Sequence, residues 1–403
     1  MGGYSQITNA SLKSILTLRY DYTIQSSKLP KLEWRDFFEK HSTNVIEMVE
    51  NSIINTLKKQ IGQQKKVAVA LSGGVDSALM LLLLRKTFPK INIVSISVVF
   101  ANSIDESKQA KLIAEKFSSE HKVLFVENYL RDLPKAISII KLPFWDLHWY
   151  TIVKETKDVA KTLVSGDGGD ELFGGYTFRY QKFLSLINHK SSVLEKVQAY
   201  LQCHERDWVP NQEKVFGKKI PFSWDEIYST LYPFFDNPLP PLGQVFLADF
   251  NGKLLHNWLP LNSEFHQYFG VMQVTPILTS DLISYATHIK YDLKYSKQDN
   301  VGKLVLRNIL SKYNSDSVVS ATKQGFSVDT TSLWKSHGYN LCNYYLTDAR
   351  IVKEGWINKD WIVSNLQKDL DIRYINKFLG LLALEIWFRL FITKEIKPDV
   401  HLE

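Results

Sequence analysis

Two short stretches of the 403-residue chain carry side chains whose types and spacing could do chemistry. The first is Ser72-Gly73-Gly74-Val75-Asp76-Ser77. Small residues let backbone amides approach an anion closely, and a helix starting there would add its dipole. No GxxxxGK[ST] occurs anywhere in the chain, so this would be a phosphate cradle without the P-loop lysine. A serine-capped turn would also use the Gly-Gly pair, but a turn has no need of Asp76 set beside Ser77. The second stretch runs Ser165-Gly166-Asp167-Gly168-Gly169-Asp170-Glu171-Leu172-Phe173-Gly174-Gly175-Tyr176. Five glycines and three carboxylates in twelve residues make a poor structural element. Each glycine costs about 1 kcal/mol in a helix, and clustered like charges repel. A bound Mg²⁺ would offset that cost, since it takes one or two carboxylates together with phosphate oxygens. The spacing is not that of a calcium loop.

The elements that must position these stretches can be read from the hydrophobic pattern. Val67–Leu71 is a short apolar run ending at the first stretch, which predicts a strand, and 78–86 predicts the following helix. Further strands are predicted at Ile91–Phe100, Val123–Val126 and Leu163–Ser165, with helices at 44–59, 105–118 and 152–161. Such alternation predicts βαβ units, an α/β fold with a parallel, doubly wound sheet. In such a sheet ligands sit beyond the carboxyl ends of the strands, where both stretches fall. Beyond residue 180 the pattern is mainly helical, as at 301–311 and 378–391, and Asn237-Pro-Leu-Pro-Pro-Leu242 suits an extended linker or an edge of the helical region. The expected division is an N-terminal helical extension (1–45), an α/β nucleotide-binding domain (46–240) and a mainly helical substrate-side region (241–403).

Composition bounds the function classes. The chain is 45% apolar and 23% charged, which excludes disorder, collagen and coiled coil. Its net charge of +7 is scattered, without an arginine-rich tract, so it reads as a solvated surface and not as a nucleic-acid footprint. Cys203 and Cys342 cannot make a disulfide framework or a redox CxxC, and the ten histidines show no HExxH spacing. A reducing cytoplasm and a soluble, uncleaved chain without a membrane segment are expected. Trp145, His148, Trp149 and Tyr150 could line a pocket, although core packing is the commoner fate of such a group.

SGGVDS resembles the pyrophosphate loop of the N-type ATP pyrophosphatases, and SGDGGDELFGGY resembles the second signature of the asparagine synthetase family. The likeness extends from about residue 15 to about residue 395. It takes in Ile96–Val126 with Asp105, Glu106 and His121, Pro143, the Gly302–Arg307 run similar to GKWxLR, and Thr322-Lys323-Gln324-Gly325-Phe326, similar to the catalytic-lysine loop. The resemblance implies a PP-loop fold, ATP and Mg²⁺, and a two-step reaction. A carboxylate is adenylated with release of pyrophosphate, and ammonia or an amine then displaces AMP to give an amide. Carried over, it places Ser72, Gly73, Gly74 and Ser77 on the pyrophosphate, Asp76 and Asp170 on the metal, Leu71 and Val98 at the adenine through backbone groups, and Gly166 against the nucleotide. Lys323 becomes the lysine for the α-phosphate, Asp167 the base for the incoming amine, and Glu171 a support for the metal or for basic partners.

Two departures shape the expected substrates. Position 2 is Gly2, where the family carries a glutaminase cysteine, so the expected nitrogen source is free ammonia, a separate glutaminase subunit, or an amine on another substrate. Across Ser263–Thr279 the family's acidic and arginine positions are occupied by Met272 and Val274. An apolar side chain cannot fork onto a carboxylate as arginine does. Either the acid differs from aspartate, as in the β-lactam synthetases, which this chain also resembles, or the packing differs around the same pocket. A tRNA-modifying PP-loop enzyme is the remaining alternative, against which the missing CxxC and basic tract speak.

Overall fold

The computed structural model describes residues 7–24, 29–40, 43–101, 103, 105–315, 319 and 328–403. Its centre is a five-stranded sheet, β1 (Lys66–Ala70), β2 (Asn92–Phe100), β3 (Glu120–Val126), β4 (Thr162–Val164) and β5 (Met272–Val274). The spatial order is β3-β2-β1-β4-β5 and every pairing is parallel. Consecutive residues of β1 divide between two cores: Val67 and Val69 enter one, Ala68 and Ala70 the other. Both faces of the sheet are therefore covered, as a parallel sheet requires. The expected α/β class and the four expected strands are found.

The Val75–Thr87 helix follows β1 and is buried almost all round, from Ser77 through Leu84. Such a helix is wrapped on several sides, here by the sheet and by the Val45–Ile61 helix, whose Val49, Ile53 and Leu57 are fully buried. On the other face lie the Leu133–Ile140 and His148–Val159 helices and the twenty-residue Ile372–Phe391 helix. Trp145, Trp149 and Tyr150 are buried in this second core.

Of the two readings of the proline run, the structure has the edge of a helix and not an extended linker: Pro240 is extended and Pro241 opens the buried Pro241–Asp249 helix, as proline's fixed φ permits at a first helical position. Two regions differ from the sequence reading. β5 comes from Ser263–Thr279, read as part of the helical half, and three residues are too few to show an alternating pattern. The helix predicted from Val301 starts at Leu304, because Val301-Gly302 pairs with Tyr295-Ser296 in a short hairpin. Among the described residues no helix is long and apolar enough to cross a membrane.

Candidate active site

After β1 the chain of strands turns to β2 on one side, while β4 lies on the other, so the sheet order reverses between β1 and β4. The loops leaving these two strands are the two stretches singled out above. The first is closed on itself. Ser77 Oγ accepts from the Ser72 amide at 3.1 Å and lies 3.0 Å from Ser72 Oγ, and the Gly74 amide donates to Ser72 Oγ at 3.2 Å. Gly74 opens the helix without a side-chain cap. The Gly73 amide donates to the Glu106 carboxylate, whose burial raises its pKa. A carboxylate thus already sits against the loop amide expected to meet an anion.

The second loop packs directly on Asp76. A methyl on Gly169 would come within 2.5 Å of Asp76 Cγ, and one on Gly166 within 2.7 Å of Asp76 Cβ. Gly168 is left-handed, at φ 88°, with Leu278 pressed against it. The Ser165 amide donates to the Val274 carbonyl of β5 at 3.0 Å, which ties the loop to the sheet's far edge. Asp76 and Asp170 consequently converge on one point, the ammonium of Lys303. Lys303 Nζ pairs with Asp76 Oδ2 and lies 2.9 Å from Asp170 Oδ1. Burial alone would lower the Lys303 pKa, but the Asp170 and Asp76 charges outweigh it and hold it above the ordinary lysine value.

Two carboxylates that can share one cation are the donor set a Mg²⁺ nucleotide requires, the phosphates supplying the remaining oxygens. The residues therefore fit the ion that the resemblance implies. Among the described residues no group of three or more His, Cys, Asp or Glu could hold a metal unaided.

Asp167 takes two of its hydrogen bonds from the helical region. It accepts from Ser165 Oγ (2.9 Å), Trp258 Nε1 (2.9 Å) and Asn262 Nδ2 (3.4 Å). Burial pushes its carboxyl up to about 6, opposed by the three donors and assisted by the charge of Asp76. Trp258 ends the helical segment Phe250–Trp258, which is kinked at Gly252, where the backbone leaves helical geometry. Glu171 is buried and accepts from the Tyr176 hydroxyl at 2.6 Å. It lines a cavity of about 20 Å³ together with Arg179, His204, Asp249 and Lys253. There Arg179 and the Tyr200 hydroxyl hold Asp249, at 3.4 and 2.8 Å.

Leu71 has its amide on the Ile96 carbonyl and its own carbonyl on Ser97 Oγ, and Val98 is half-buried on β2 beside it. Lys323 lies outside the described residues. Val274 is fully buried in the core, while Met272 is exposed. The sequence reading did not foresee the parts played by Lys303, Glu106, Trp258 and Asn262. Lys303 stood in the quoted Gly302–Arg307 run and Glu106 beside Asp105, but their partners lie more than thirty residues away, as do those of Trp258 and Asn262.

These features define a doubly wound α/β protein with a two-loop, cation-sharing site at its topological switch point. Residues 48–389 match the family model described as asparagine synthase, and the chain belongs to that family. It is 22% identical over 392 residues to asparagine synthetase (glutamine-hydrolyzing) 1 of Bacillus subtilis (strain 168), covering 88% of this chain and 61% of that protein. A second relative is a putative asparagine synthetase (glutamine-hydrolyzing) 2 of Methanocaldococcus jannaschii, 24% identical over 200 residues, covering 48% of this chain and 35% of the relative. The chain thus spans less than two thirds of either relative. Among solved structures, the U34-tRNA thiolase NcsA of Methanococcus maripaludis is similar at a TM-score of 0.24 and 14% identity, covering 59% of this chain and 83% of that one. A likeness that slight carries no argument about fold or activity.

Proposed function

We propose that the chain is an ATP-dependent carboxylate–amine ligase that adenylates its acid. The observation that carries this reading is the convergence of Asp76 and Asp170, from two loops at neighbouring strand ends, on a single cation position. In the first step a carboxylate oxygen of the acid attacks the α-phosphorus, and the bond to the pyrophosphate oxygen breaks. The Ser72–Ser77 loop holds the departing pyrophosphate, Gly166 lies against the nucleotide, and Leu71 and Val98 border the adenine. Asp76 and Asp170 would hold a Mg²⁺, which when bound would neutralise charge on the phosphate oxygens. Lys323 is assigned to the α-phosphate, where negative charge builds. In the second step the amine nitrogen attacks the acyl carbon, AMP leaves, and a proton passes to a carboxylate. Ammonia is the simplest nitrogen donor, whether free or delivered by a separate glutaminase subunit.

A screen of candidate acids for ATP–pyrophosphate exchange tests the reading. With the amine also present, AMP and pyrophosphate are expected in equal amounts, and formation of ADP would exclude the reading. A specialised acid, or an intramolecular amide as in lactam formation, is the second reading. It is favoured by Val274, which fills the core where the family's arginine is expected, so an acid's second carboxylate would need another cation. Exchange with aspartate would decide against it.

Asp167 is assigned as the base for the amine, acting in its ionised form. With its carboxyl at about 6, amide formation should fall as pH drops through that value, approaching tenfold per unit below it. Pyrophosphate exchange should not follow. Trp258→Phe removes a donor that stabilises the charged form, so the acid limb should move to higher pH. A pH–rate profile of amide formation with an unmoved limb would remove Asp167 from this role.

A further inference from the structure

The cation point between the two loops is filled by a side chain of the protein itself, and the backbone has gone to some trouble to put it there. Lys303 has left-handed backbone, at φ 58°, as the N-cap of the Leu304–Lys312 helix. For a side chain larger than asparagine that conformation costs about 1–2 kcal/mol. It persists because the residue's own amide and its neighbour Gly302 are both held against the second loop. The Lys303 amide donates to the Phe173 carbonyl at 3.0 Å, and Gly302 lies so close to Gly174 that a methyl there would reach 1.9 Å from its carbonyl oxygen. Left-handed backbone also occurs at Arg19, Ser118, Lys141 and Lys394, so what singles out Lys303 is where its side chain ends. Here the side chain is 11% exposed, and its ammonium lies between Asp76 and Asp170.

We infer that Lys303 is a resident stand-in for the metal, a positioning residue that keeps Asp76 and Asp170 converged until the metal nucleotide arrives and then yields the point to the ion. The inference rests on the reading of those two aspartates as metal carboxylates. Two carboxylates this close repel when no cation lies between them, and the loops carrying them are glycine-rich. One ammonium cancels that repulsion and holds both loops in register. Its single charge also makes the exchange favourable, because a divalent ion at the same point interacts about twice as strongly with each carboxylate at equal distance. The site is thereby shaped in advance for a metal, yet a bare metal ion must displace a competitor.

The test needs no turnover. Mn²⁺ is titrated by electron paramagnetic resonance, without nucleotide, into the wild-type chain, Lys303→Met, Lys303→Arg and the double variant Lys303→Met/Asp170→Asn. Lys303→Met is expected to bind Mn²⁺ at least about tenfold more tightly than wild type, since a like charge has left the site. Lys303→Arg should stay near wild type, and the double variant should lose the gain. Equal or weaker binding by a folded Lys303→Met overturns the inference. Should that variant not fold, labelling of wild-type amines with and without millimolar Mn²⁺ takes its place. The Lys303 ε-amine, followed by peptide mass spectrometry, should become more reactive when the ion is added, and unchanged reactivity overturns the inference. Tighter Mn²⁺ binding without pyrophosphate exchange for any acid would uphold the inference while the ligase reading fails, and exchange with unaltered Mn²⁺ affinity would do the reverse.

Discussion

Asp76→Asn is expected to lower ATP–pyrophosphate exchange roughly a thousandfold while leaving the protein folded. The substitution keeps the size of the side chain, which matters because Gly166 and Gly169 are packed against it. What it removes is one of the two charges aimed at the shared cation point. Lys303 retains Asp170 as its partner, so no buried charge is stranded and the melting temperature should move little. A hard divalent ion, in contrast, loses one of two carboxylates and with it much of the neutralisation that displacement at phosphorus requires. Exchange and thermal melting measured on the same preparation separate the outcomes. Near-normal exchange in a folded variant would reject the metal nucleotide at this position.

Gly175→Ala should also lower exchange, roughly a hundredfold, through displacement and not through loss of charge. A methyl at this position would come within 1.7 Å of Asp170 Oδ1 and 2.4 Å of Lys303 Cε. Both atoms are at or near the ends of side chains that can swing aside, so the fold is spared and the convergence is lost. Gly302→Ala presents the opposite case. Its methyl would stand 1.9 Å from the Gly174 carbonyl oxygen, which belongs to the backbone. Relief requires the hairpin and the second loop to part, at about 3 kcal/mol. The pair should therefore dissociate in experiment, Gly175→Ala melting near wild type with exchange lowered and Gly302→Ala melting clearly lower.

Much of the frame was legible because it depends on local pattern. β1 after Lys66 is a continuous apolar run and β2 a largely apolar one broken by Ser95 and Ser97, as strands covered on both faces tend to be, and the glycines that follow β1 and β4 mark the turns. The two loops could be found from their composition alone. Their convergence could not, since it depends on the order in which strands are laid side by side. β5 escaped notice because three residues, Met272–Val274, carry no period, and because its partner β4 lies a hundred residues earlier. The environment of Asp167 was hidden for a similar reason. Its donors Trp258 and Asn262 come from another part of the chain, and nothing near Asp167 in sequence announces them. Left-handed backbone at Lys303 likewise has no signature when the residue is neither glycine nor asparagine.

The kink at Gly252, within Phe250–Trp258, bears on how such a carboxyl is tuned. A non-helical residue inside a helical run re-aims the turns that follow it without changing which residues they carry. The indole and the amide that reach Asp167 both lie at or beyond the end of that stretch, so their direction is inherited from a backbone irregularity several residues upstream. Burial raises the carboxyl, and the part of its acidity that these two donors restore therefore hangs on a bend in a neighbouring helix, which a relative could alter while keeping every side chain that touches the group.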